Sequence, residues 1–104
     1  MKQENKEMKS EYESKLVGVT ADFKRKGYDF FKKYINEVYS FPEKADGKDI
    51  EFEIHVKDSR NRNKELFVMV EASQKKWFMH VGKAIYFAIS EDNSTRDLKI
   101  GEAF

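Results

Sequence analysis

The chain contains no cysteine. That excludes disulfides, thiolate metal sites and a cysteine nucleophile together. A chain this short that worked outside the cell would often need disulfides to hold its shape, so their absence points to a reducing compartment. One proline and five glycines leave the sequence with sparse punctuation. No repeat or Pro/Gly/Ser-rich linker divides it, and it reads as one domain over residues 1–104, with 1–9 at a fraying end. The longest apolar run, Ala84 to Ile89, is too short to cross a bilayer. Residues 1–14 are polar and charged, unlike a secretory leader. The expected location is cytoplasmic, and the sequon Asn93-Ser94-Thr95 would matter only in a secreted chain.

A net charge of +1 excludes a strong whole-molecule field. The charge is blocked along the chain all the same: residues 15–33 and 55–83 run basic, and residues 34–54 run acidic. Catalytic signatures are missing. There is no G-x-S-x-G, Walker loop, G-x-G-x-x-G or H-E-x-x-H, and nothing places a base beside a nucleophile. The expectation is a non-enzymatic protein with no cofactor and no metal.

Aromatic residues are plentiful: nine Phe, five Tyr and one Trp, each able to bury a large area on few rotatable bonds. Met8, Tyr12, Leu16, Val19 and Phe23 recur at helical spacing, and Phe31, Tyr34 and Val38 extend the stripe. The first forty residues therefore read as an amphipathic helix, either continuous or broken near Gly27. Ser10 and Glu13 fit a capping box, Glu11 and Lys15 a favourable i,i+4 pair, and Phe41-Pro42 a stop. A strand is the rival reading for residues 15–23, because Leu16 to Thr20 is rich in β-branched residues.

Residues 43–49 read as a polar segment with a turn at Asp46-Gly47. The period then changes to two. Ile50, Phe52, Ile54 and Val56 alternate with Glu51, Glu53, His55 and Lys57, as in a half-buried strand. After a polar loop at 58–64, further strands are expected at 65–72, 75–81 and 84–90. Gly82-Lys83 would form a hairpin turn, and residues 96–104 a short edge strand or tail. The fold class is α+β: an N-terminal helix on one face of a four- or five-stranded antiparallel meander.

Sorting the strands by parity gives one wholly apolar set, which must meet the helix. The other set carries Phe67, Met69, Phe78 and Tyr86 together with His55, His80 and Lys76, which is unusually apolar for a face left in water. Three occupants are conceivable: the chain's own helix or its tail Leu98-Ile100-Phe104, a second copy, or a foreign partner. The leading expectation is a small inhibitor, adaptor or regulatory protein that binds a protein partner, or itself as a dimer, through Phe67, Met69, Phe78 and Tyr86, with His55, His80 and Lys76 as rim. The alternative is a single-stranded nucleic-acid binder using the same face with Arg60, Arg62, Lys64, Lys75 and Lys76. Charge runs are more often solvated surface, and near-zero net charge disfavours strong non-specific binding. The helical stripe is needed by the sheet, so no membrane partner is expected. His55 and His80, with a strand between them, stand too far apart to ligate one metal, and Glu51, Glu53 and His55 along a single strand are not by themselves a metal motif.

Overall fold

The computed structural model describes the backbone of residues 2–45, 47–62, 64–76 and 79–99, and their side chains except at 2–12, 45, 48, 75–76 and 79–81. Helix α1 (Lys2–Lys24) leads into a short α2 (Tyr28–Lys32). Five strands follow: β1 (Val38–Ala45), β2 (Lys48–Asp58), β3 (Leu66–Lys76), β4 (Met79–Ile89) and β5 (Thr95–Asp97). The strands pair antiparallel in the order β1-β2-β3-β4-β5, and the helices cover one face of the sheet. This is the α+β meander that the two hydrophobic periods predict. No helix among the described residues is long and apolar enough to cross a membrane.

Helical periodicity prevails over β-branched content at residues 15–23. Among the described side chains of α1 the buried ones, Leu16, Thr20 and Phe23, stand at spacings of four and three; those of Met8 and Tyr12 lie outside the described residues. Such a stripe gains more from burial against the sheet than the weak strand preference of Val17 and Val19 can offset. Buried Thr20 is satisfied locally, its hydroxyl donating to the Leu16 carbonyl at 2.7 Å. Ser10 lies inside α1, which begins at Lys2, so the expected capping box does not form there. Lys15 reaches Glu43 on β1 at 3.0 Å, Glu13 meets Lys83 of β4 at 3.3 Å, and Lys24 lies 3.8 Å from Asp97 on β5. These solvent-accessible pairs orient the helix more than they stabilise it.

The break at Gly27 is built in. Its φ of 87° belongs to the left-handed region, and the neighbouring Tyr28 N–H donates to Asn93 Oδ1 at 2.8 Å. A Cβ on Gly27 would lie 3.0 Å from that same oxygen. Gly18 differs: it is helical and exposed, with nothing near the place of a Cβ. Gly27→Ala is therefore expected to destabilise by about 1–2 kcal/mol. Gly18→Ala should stabilise by about 0.8 kcal/mol, since alanine loses less backbone entropy in a helix. Urea unfolding of the two variants checks the opposite signs.

Two parts of the sheet differ from expectation. The first is β1. The helical stripe does not run to Val38; the helix ends at Lys32, and residues 38–45 form a strand paired with β2, Val38 opposite His55 and Phe41 opposite Phe52. Pro42, read as a helix stop, sits in this strand opposite Glu51. Proline is tolerated there because β1 is an edge strand, where one side of the backbone needs no partner. The Asp46-Gly47 signal does mark the reversal, since Ala45 pairs with Lys48 and Gly47 has φ 71°. The second is the β3–β4 hairpin. Gly82 is no turn residue; it pairs with Ser73 within the ladder, and the chain reverses between the paired Lys76 and Met79. A Cβ on Gly82 would lie 3.1 Å from the Ala72 carbonyl oxygen, so glycine there permits close strand approach. The expected strand at 65–72 is part of the longer β3, but the one expected at 75–81 does not form: 75–76 end β3, and 79–81 begin β4, which also takes in the strand expected from 84.

The core lies between the helices and the sheet. Ile50, Phe52, Ile54 and Val56 of β2 are buried with Leu66, Val68 and Val70 of β3 and Phe87 and Ile89 of β4. These residues belong to the apolar parity set; Trp77 and the side chains of Met79 and Val81, expected in it too, lie outside the described residues. Aromatic rings join the layers: Phe31 of α2 meets Phe87 edge-on at 5.6 Å, and Phe41 stacks on Phe52 at 5.4 Å. Phe23 reaches Phe30, Tyr39 and Phe41, which ties α1 to α2 and β1.

Candidate interaction face of the sheet

Because side chains alternate along a strand, the register of the ladders arranges the face turned away from the helices in rows. One row runs Val38, His55, Met69, Tyr86 across β1 to β4. Beside it on one side lies Lys57, Phe67, Ala88, Arg96, across β2 to β5. On the other side lies Ser40, Glu53, Glu71, Ala84. The face therefore has an apolar centre, an acidic flank and a basic flank.

Phe67, Met69, Tyr86 and His55 fall on this face as the parity argument predicts, each half-buried. Val38, which sequence periodicity assigned to the helix, joins them at 54% exposure. Part of the patch has cover from its own chain. Leu98, just beyond β5, donates its N–H to the Tyr86 carbonyl and packs with Ala88, Phe67 and Tyr86. That is the Leu98 part of the tail contact considered from the sequence; Ile100 and Phe104 lie outside the described residues. Phe78 lies outside the described residues, as do the side chains of Lys75, Lys76 and His80. Register alone corrects one assignment. Because β3 runs unbroken to Lys76, that residue pairs with Met79 in the alternation set of Val70, not that of Met69. Lys75, opposite His80, takes the face position instead. His55 pairs with Met69 and His80 with Lys75, so about 20 Å of strand separates the two histidine positions, more than the sequence suggested.

At the basic end, the 59–65 loop is an organised structure. Asp58 accepts the Arg60 N–H at 2.9 Å and Ser59 Oγ accepts the Asn61 N–H at 3.2 Å. Asn61 donates its amide to Glu65 at 2.9 Å and accepts the Glu65 N–H at 3.2 Å. Arg60 and Lys64 adopt left-handed backbone conformations, with φ of 58° and 54°. The side chains of Arg60, Arg62 and Lys64 are exposed. Glu65 is buried and grips Arg96 through two hydrogen bonds, at 2.8 and 2.9 Å. The Arg96 bonds, aided by Asn61, hold the Glu65 carboxyl below its ordinary value although burial opposes this. The basic helix residues are largely occupied: Lys24 lies over the Phe87 ring, Lys26 over Phe23 and Phe30, and Arg25 pairs with Asp22.

At the acidic end, Glu53 and Glu71 stand directly opposite one another on β2 and β3. His55 Nε2 is 3.1 Å from Glu53 Oε1. Ligand atoms of all three residues lie within 4.8 Å of one another. An open depression of about 600 Å³ adjoins them, lined by Glu53, Glu71, Ser73, Gly82, Lys83, Ala84 and Tyr86. Sequence reasoning placed Glu53 and His55 together but missed Glu71. Shared parity across the short β2–β3 connection was the available signal. No family model, curated protein or solved structure matches the chain.

Proposed function

We propose that this protein is a non-enzymatic interaction module, an inhibitor, adaptor or regulatory protein, that binds a protein partner through the sheet face away from its helices. The observation that carries this reading is the row Val38–His55–Met69–Tyr86, an apolar strip across rigid strands with charge of opposite sign on its two flanks. Aromatic and methionine side chains in the centre of such a strip serve as anchors, and a rim with both signs fixes orientation and register. The acidic flank favours a protein over a nucleic acid. Glu53 and Glu71 lie beside the positions where bases would stack on Met69 and Tyr86, and would repel the phosphates.

A photo-crosslinking residue placed at 69, at 38 and, as a control on the opposite side, at Asp22 tests this reading in lysate of the native source. Adducts to one protein band from positions 69 and 38, absent from 22 and abolished by Tyr86→Lys, are expected. Equal labelling from all three positions would refute it. So would adducts consisting of nucleic acid, which would transfer the face to the rival reading and predict oligonucleotide binding at about 50 mM salt.

A further inference from the structure

We infer that Glu53, His55 and Glu71 bind a divalent first-row transition cation of the zinc class. The inference is independent of the partner proposed above, since the site is complete within one chain. The donor set is mixed, one imidazole and two carboxylates, which suits zinc and its neighbours better than the all-oxygen cations calcium and magnesium. The 3.1 Å between His55 Nε2 and Glu53 Oε1 is close to the roughly 3.3 Å edge between two ligands of a tetrahedral zinc. Glu71 completes a triangle of ligand atoms within 4.8 Å, so small rotations of half-exposed side chains suffice to close it. All three residues stand on neighbouring strands of the same sheet, which holds their Cα positions fixed.

Energetics point the same way. Two carboxylates directly opposite across an antiparallel pair destabilise the sheet unless something neutralises them. Among the described residues no lysine or arginine forms an ion pair with Glu53 or Glu71; His55 alone approaches Glu53. A cation between them removes the repulsion and draws His55 in as third ligand. The depression beyond Glu71 leaves the fourth position open to water or to a carboxylate from a bound partner.

Titration of the purified chain with Zn²⁺ by calorimetry tests the site, with Ca²⁺ and Mg²⁺ as comparison ions. One Zn²⁺ per chain is expected. His55→Ala and Glu71→Gln should each weaken binding by at least about tenfold, because loss of a direct ligand costs no less than loss of an outer-shell partner. Glu51→Gln, on the same strand and face but outside the cluster, should leave it unchanged. Thermal unfolding of each variant without metal confirms that it folds. The inference is overturned if Zn²⁺ does not bind at millimolar concentration, if Ca²⁺ binds equally well, or if Glu51→Gln weakens binding as much as Glu71→Gln, since the last two results describe a diffuse acidic patch.

Discussion

Phe31→Ala is expected to cost about 3–5 kcal/mol, the range for truncating a fully buried phenylalanine. The Phe31 ring has no solvent exposure and is the single buried residue of the short helix α2. Its ring lies edge-on to Phe87 of β4 and to Phe30 of its own helix. A five-residue helix has no stability of its own, so this anchor is what seats α2 on the sheet. Removal leaves a cavity next to Phe87 and frees the chain between Gly27 and β1. For a domain of this size each kcal/mol lowers the melting temperature by about 4–8 °C. Calorimetry should thus show one of the largest drops of any single substitution. Lys32→Ala, on the exposed side of the same helix, should change stability by less than about 0.5 kcal/mol.

Arg96→Met is expected to cost about 2–3 kcal/mol, because it leaves the buried carboxylate of Glu65 without its charged partner. The figure stands below that for a fully enclosed pair, since the Arg96 side chain is 50% exposed while that of Glu65 is 5% exposed. The same pair gives the wild type an acid limit. The folded Glu65 carboxyl is depressed below its ordinary value of 4.5, so the unfolded chain binds the proton more readily. The stabilisation is fully present above 4.5 and is lost as pH falls through the depressed folded value. Urea midpoints measured from pH 7 down to pH 3 should fall in the wild type. In Glu65→Gln, stability at pH 7 should be lower and the acid slope shallower.

The sequence states the core of this protein more clearly than its connections. Ile50, Phe52, Ile54 and Val56 advertise their strand by strict alternation, and Leu16 and Phe23 their helix by spacing; all are buried as their periods require. Parity also placed Phe67, Met69 and Tyr86 on the far face, because that inference needs only the strand's phase. The departures share a cause: Pro42 and Gly82 look like punctuation in sequence, yet each has a tertiary role. Pro42 occupies an edge strand and Gly82 a close crossing of β3 and β4. Neither role can be inferred before the strand order is known. Val38 fits the helical stripe by its spacing from Tyr34, although Tyr39, Ser40 and Phe41 also alternate ahead of the Asp46-Gly47 turn. The Glu53–His55–Glu71 cluster and the Glu65–Arg96 pair depend on cross-strand register and on a contact 31 residues apart in sequence. Parity puts Glu53, His55 and Glu71 on one face, but only the register sets Glu53 opposite Glu71 and brings Arg96 to Glu65.

The central proposal is that the face carrying Met69 and Tyr86 is the one that receives a partner. Hydroxyl-radical footprinting of the monomer measures the exposure of that face residue by residue. Rapid modification of Met69 and Tyr86, with Phe31 and Phe52 protected, is the predicted result. Protection of Met69 and Tyr86 equal to that of Phe52 would mean that the chain covers the face itself, and would contradict the account.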